Sequence, residues 1–286
     1  IRLNDHVLGS GELEIDKLLA MDPGGVTKPI QGVVTREPVF HLPAMWIHPS
    51  QKDEAELAGY TVVDPESILI THLSENLKRH AHELLTRDDV QKLVDRLKNR
   101  QPALVNGVVG DLVNIGLLHR VLQNLLKDGI PIRDLAVILE ALGDHAHRTK
   151  DPATLTEMVR KSLVRTITER HSDASGRVSA IVLDPPAEYE LRNSVRRDAD
   201  IESMALSSEK TLLLGQRIAE SWRQAMEQGI DSVVLLCDAR VRPHLAHLLA
   251  RQLPHLSVLA YDEIAVGTKI ESVGTVSLEP AALAAT

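Results

Sequence analysis

The stretch "GYTVVDPESILITHLSENLKRHAHELL", residues 59–85, decides how the first third of the chain folds. Tyr60–Val63 is rich in β-branched residues and reads as a buried strand. Asp64-Pro65 ends it: Asp64 suits a helix N-cap, and Pro65 suits the first helical position, where no amide donor is needed. Ile68, Leu69, His72, Leu73, Asn76, Leu77, Ala81, Leu84 and Leu85 then recur at helical spacing. His72 lies toward this apolar face, with His80 and His82 further along the same helix. The segment admits three readings: a metal site, a catalytic site, or a joint between two parts of a docking surface.

The histidine pattern argues against the first. His-Ala-His occurs at His80/His82 and again at His145/His147. Two imidazoles at i, i+2 share a face on a strand, but on a helix they sit about 200° apart and do not converge on one ion. His80/His82 is expected in mid-helix. His145/His147 is expected at a helix C-terminus, where the dipole favours protonated imidazole.

Composition narrows the field. The 286 residues are 43% hydrophobic, enough to bury a core, yet only 2% aromatic, which disfavours base-stacking platforms. The formal charge of −8 repels a phosphate backbone on average. Cys237 is the single cysteine, so neither an internal disulfide nor a cysteine-based zinc site is available. No apolar run approaches the roughly 20 residues of a membrane helix. The abrupt start on "IRLND", without Met, is expected of a piece of a longer chain.

Outward from the opening stretch, residues 1–64 read as short strands and turns, with a turn at Asp22-Pro23-Gly24-Gly25 and a strand at Ala44–Ile47. Ser50 is expected to cap a small helix ended by Gly59. Residues 85–170 read as all-helical. Thr86 and Asp89 form a capping box, Gly129 closes a Leu-rich helix, and Asp151-Pro152 opens another with Leu155, Val159, Leu163 and Ile167 inward. The segment carries 14 Lys+Arg against 11 Asp+Glu, with no cluster of the kind a DNA-binding helix pair needs. Around 171–177 the sequence turns polar. Strands at 177–183, 231–237 and 256–261 then alternate with helices at 207–228 and 243–253, the pattern of a small parallel α/β domain. Residues 185–206 are expected to be loop-rich and the tail after Val276 to fray.

Catalytic signatures are sparse. Ser179, His171 and Asp173 lie near one another in sequence, but no G-x-S-x-G elbow, P-loop or G-x-G-x-x-G accompanies them. Arg240 and Arg242 follow a strand ending at Cys237 and could hold an anion, since ligands of doubly wound folds bind at strand C-termini. A solvated turn is the simpler expectation, and Cys237 is the buried end of a strand. Phe40, the only phenylalanine, stands in "EPVFHLP" between Pro38 and Pro43. It is either a core plug or an anchor on a binding surface.

Gly59-Tyr60-Thr61-Val62-Val63-Asp64, Thr71-His72-Leu73-Ser74, Val121–Leu126, Ile132-Arg133-Asp134-Leu135, Ile138-Leu139-Glu140 and Lys150-Asp151-Pro152 together resemble the cytoplasmic domain of the FlhA family of flagellar and type III secretion export gates. Tyr261–Ile264 and Glu271–Val276 favour the flagellar branch. The resemblance covers nearly the whole chain in one order. It implies an α+β multi-subdomain fold: a small mixed N-terminal part, a central all-helical domain and a C-terminal parallel α/β domain. Residues 1–15 and 65–84 would be the remnant of a first subdomain, with 16–64 inserted as the second. Residues 85–170 would be the third, and 171–286 the fourth with a flexible tail.

The resemblance further implies a non-enzymatic platform, without cofactor or metal, on the cytoplasmic side of a bacterial inner-membrane protein. It would assemble as a ring, typically of nine copies, and receive export chaperones with bound substrates as well as components of the export ATPase complex. Membrane contact would come only through an N-terminal portion absent here, and nucleic acid is not an expected partner. By motif position the chaperone dock carries over to Glu37, Phe40 and Thr71, with Phe40 as anchor and Glu37 as a charge at the rim. Asp is common in the family where Glu37 stands, and prolines are common where "EIAVG" stands at 263–267. An injectisome homologue, a small α/β enzyme using Arg240 and Cys237, and a helical DNA-binding regulator are the alternatives.

Overall fold

The computed structural model describes residues 1–23, 26–38, 42–198, 201–230 and 232–278. The chain forms two compact units, 1–84 and 85–286. The first contains β1 (Arg2–Leu3), β2 (His6–Val7), β3 (Leu18–Met21), β4 (Val33–Arg36), β5 (Pro43–Ile47), α1 (Lys52–Leu57), β6 (Thr61–Val63), α2 (Pro65–Arg79) and α3 (Ala81–Leu84). β1 and β2 pair antiparallel through a turn in which Asn4 and Asp5 both take positive φ, residues that tolerate that region.

β4-β5-β3-β6 is a four-stranded antiparallel sheet. Strand periodicity divides its two faces. Ala20 and Ile47 pack with Ala55, Ala58 and Tyr60 around α1, while Leu19, Ala44 and Trp46 pack against Ile68 of α2. Residues 49–57 start differently from expectation. His48, not Ser50, caps a 3-10 turn at Pro49–Gln51, with its Nδ1 accepting from the Ser50 amide at 3.3 Å. The reason is Pro49: proline occupies the first helical position, so the residue before it must be the cap.

The second unit contains α4 (Arg87–Lys98), α5 (Pro102–Val108), α6 (Ile115–Lys127), α7 (Leu135–His145), α8 (Pro152–Ser162), α9 (Val164–His171), β7 (Arg177–Leu183), α10 (Pro185–Ser194), β8 (Val195–Asp198), β9 (Ile201–Met204), α11 (Ser208–Glu227), β10 (Val233–Cys237), α12 (Arg242–Leu249), β11 (Ser257–Ala260) and β12 (Lys269–Val276). β11-β10-β7-β12 is wholly parallel. Its alternate residues serve two cores. Val178, Ala180, Val234, Leu236 and Leu259 join the leucines and valines of α4–α9, whereas Ile181, Leu183, Leu235 and Cys237 join α10, α11 and α12. The helical part and one face of the parallel sheet therefore share a core, and the other face has a core of its own.

Residues 185–206 are not loop-rich. Asp184 caps α10, its Oδ1 accepting from the Ala187 amide at 2.8 Å, and β8 and β9 form an antiparallel hairpin. In the tail, Leu278 is buried; 279–286 lie outside the described residues.

Candidate protein-docking site

Helix α2 organises the candidate site. Asp64 Oδ1 accepts from the Ser67 amide at 2.7 Å and Oδ2 from its hydroxyl at 2.9 Å. The Ser67 amide bond is the main reason the Asp64 carboxyl is held below its ordinary range. So fixed, α2 splits its apolar stripe lengthwise. Ile68, His72 and Asn76 are buried, while Leu69, Ile70, Leu73 and Leu77 stay 43% to 64% exposed. Four large aliphatic side chains on one short helix form a contiguous apolar strip, a stronger signal than scattered surface leucines.

The buried face of α2 is met by residues 9–11. A β-carbon on Gly9 would fall 2.8 Å from Asn76 Oδ1 and 2.9 Å from His72 Nε2. On Gly11 it would fall 2.9 Å from Pro38 Cβ and 3.9 Å from His72 Cε1. Both glycines answer to close approach. Pro38, after β4, and His72, in the middle of α2, thus both lie close to Gly11.

Thr71 is exposed, one residue before buried His72. Glu37 is only 5% exposed, not a rim charge, and its amide donates to Leu42 O at 3.0 Å, extending the β4–β5 ladder. Phe40 falls among residues 39–41, outside the described residues. His72 is packing: its carbonyl accepts from Asn76 Nδ2 at 2.8 Å.

The other candidate residues are used structurally. His80 is the C-cap of α2, so the helix breaks before His82 instead of running through it. His80 Nδ1 lies 2.7 Å from Glu83 Oε1 and the two imidazoles stack at 6.4 Å. His145 ends α7, and His147 Nε2 accepts from Arg148 Nε at 3.3 Å. Asp173 does not face a Ser–His pair. Its carboxylate accepts from the Ser175 hydroxyl at 2.7 Å and from the Ser175 and Arg177 amides, which lowers its pKa. Burial, with Arg170 and Arg160 nearby, pushes His171 down to about 4. Cys237 is fully buried, and burial raises its thiol far above the reactive range.

Arg242 is neither at a solvated turn nor free for an anion. It is buried, and its guanidinium clasps Glu157 through Nε at 2.7 Å and through Nη2, and Asp128 through Nη1 at 3.1 Å. Asp128 also accepts from Arg160 Nη1 at 2.7 Å, and Arg160 forks onto Glu263. Burial opposes the Arg242 charge, but Glu157 and Asp128 outweigh it and raise its pKa. Arg240 remains exposed, with its amide donating to Asp238.

The profile of the FHIPEP family matches residues 1–269. The chain belongs to the FHIPEP family. Among its relatives, the flagellar biosynthesis protein FlhA of Bacillus subtilis is 36% identical over 97% of this chain and 41% of its own length. FlhA of Escherichia coli K12 is 36% identical over 94% of this chain and 38% of its own length. This FHIPEP chain therefore spans about two fifths of the curated relatives it matches. The flagellar branch expected from Glu271–Val276 is where these relatives lie.

Among solved structures, the CdsV protein of Chlamydia pneumoniae superimposes with a TM-score of 0.78 at 25% identity, covering 93% of this chain and 76% of that one. CdsV in complex with CdsO gives 0.77 at 26%, covering 92% and 76%. Nonameric SctV-C of EPEC gives 0.74 at 22%, covering 93% and 79%. The fold is that of these solved proteins, which agrees with the expected α+β architecture. No helix among the described residues is long and apolar enough to cross a membrane.

Proposed function

We propose that this chain is the cytoplasmic docking part of a flagellar type III protein export gate. It receives export chaperones with bound substrates and passes the substrates toward a membrane channel, by binding and not by making bonds. The observation that carries the reading is the exposed aliphatic strip Leu69, Ile70, Leu73 and Leu77 beside Thr71, on a helix whose opposite face is fixed by packing. Such a strip is suited to an apolar side chain of a partner, with the Glu37–Pro38 segment reaching the same helix through Gly11.

The finer assignments belong to this proposal. Glu37, Phe40 and Thr71 form the chaperone dock. The four subdomains are 1–15 with 65–84, 16–64, 85–170 and 171–286. Ring assembly in nine copies draws support from nonameric SctV-C and association with a partner protein from the CdsV–CdsO complex, while contact with export ATPase components belongs to the proposal alone. The relatives' greater length supports placement as the soluble part of an inner-membrane protein. The test is titration calorimetry of flagellar chaperone–substrate complexes against this chain and its Leu73→Asp variant. Micromolar binding lost in the variant, with an unchanged melting curve, is expected; equal binding by both removes α2 from the dock.

A further inference from the structure

A cavity of about 680 Å³ lies in the helical part of residues 85–286. It gathers charges that are scattered in sequence: Arg87, Arg120 and Lys150 line it, opposed by Asp111 alone. Arg87 is the first residue of α4. Its guanidinium also reaches α6, where a β-carbon on Gly116 would lie 3.7 Å from Arg87 Nη2. Gly116 is the second residue of α6, so the cation sits over the positive end of another helix dipole. Lys150 precedes α8 and donates through Nζ to Leu112 O at 2.5 Å, which holds one wall in place. Arg87 and Arg120 are exposed, and their side chains have neither an ion pair nor a hydrogen bond among the described residues.

Cations at helix N-termini are electrostatically unfavourable, since those ends favour anions. Arg87 and Lys150 stand at such ends, and with Arg120 from the middle of α6 they make, in a chain of net charge −8, a local inversion of the protein's field. The walls are not purely polar: Leu112, Ile115 and Leu117 complete them. The volume falls within the roughly 300–1,000 Å³ of ligand pockets and greatly exceeds what one phosphate fills. Guanidinium groups pair bidentately with carboxylates.

We propose that this cleft binds an acidic segment of a partner protein in which carboxylates alternate with aliphatic side chains. The site is distinct from the strip on α2 and does not depend on the docking role assigned there. Its test uses a fluorescently labelled synthetic peptide alternating Glu and Leu, read by anisotropy, with a Gln-Leu peptide as the uncharged control. The full chain binds the Glu-Leu peptide, more weakly as salt rises from about 50 to 200 mM. The Arg87→Gln/Arg120→Gln variant binds it roughly tenfold or more weakly. Its melting curve matches the parent or lies slightly higher, because both arginines are exposed and Arg87 opposes a helix dipole. Equal binding by parent and variant, or equal binding of the Gln-Leu peptide, overturns the proposal. So does tighter binding of duplex DNA than of the peptide, which makes the cleft a nucleic-acid site. Self-association lost in the variant, without peptide binding by the parent, assigns the cleft to a second copy and also overturns it.

Discussion

Arg160 is the place to test whether the helical and α/β parts of residues 85–286 are fastened by charge. It is 1% exposed, and it forks onto Glu263, itself 2% exposed, while Nη1 reaches Asp128. Replacing Arg160 by Met leaves Asp128 paired, because Arg242 still holds it at 3.1 Å. Glu263 keeps only the Ala260 amide at 2.9 Å and becomes an uncompensated buried carboxylate. Breaking one side of such a pair costs about 3–5 kcal/mol. In a unit of this size each kcal/mol moves Tm by roughly 2–4 °C, so a fall of roughly 6–20 °C is expected. The chain has two tryptophans, Trp46 and Trp222. Fluorescence melting in a Trp46→Phe background therefore follows the second unit through Trp222. Adding Glu263→Leu to Arg160→Met removes the stranded charge, and the double variant recovers much of the loss, short of the Ala260 hydrogen bond, worth about 1 kcal/mol. A shift under about 2 °C for the single variant, or a double variant less stable than the single, refutes the reasoning.

Three further outcomes are expected. Phe40→Ala weakens chaperone binding by about tenfold or more, the cost of truncating an anchor, with no change in melting; unfolding of residues 1–84 would instead make Phe40 a core plug. Leu77→Asp on the α2 strip lowers chaperone affinity while leaving circular dichroism intact, because that side chain is half exposed. His171 is held neutral down to about 4 against an ordinary 6.5, so its contribution is intact above pH 6.5 and is lost as pH falls toward 4, where the unfolded chain takes up a proton the folded one refuses. His171→Gln therefore flattens the stability curve between those values, measured by urea melts at each pH.

Helix starts were the most legible feature, and they show where legibility ends. Asp64-Pro65 and Asp151-Pro152 announce α2 and α8, and the cap bonds are present at 2.7 Å in both. Asp184-Pro185 carries the same signal, yet 185–206 reads as loop. Its helix buries only Ala187, Leu191 and Ser194, too few apolar positions to raise a 3.6-residue period above the polar background. The hairpin β8–β9 is hidden likewise by its charged sequence. On α2 the apolar stripe is real, but periodicity does not distinguish its packed half from its exposed half. That division depends on where Gly9 and Gly11 pass, which is a matter of tertiary approach.

Charge is where local reading fails most, for a physical reason. Arg242 looks like a cation at a strand end, available to an anion, because its sequence neighbours are Arg240 and Pro243. Its partners Asp128 and Glu157 lie 114 and 85 residues away. The same holds in reverse for Arg87, Arg120 and Lys150. Each appears in sequence as a surface cation in a segment of nearly balanced charge, yet the fold carries all three to one hollow. Coulomb energy falls with distance in space, while composition counts charges along the chain. One pair of arginines is thus spent inside the core and another is left facing solvent without a counter-charge. An unspent cation beside a helix N-terminus costs stability in the free chain, so what would offset that cost is an anionic group supplied from outside it.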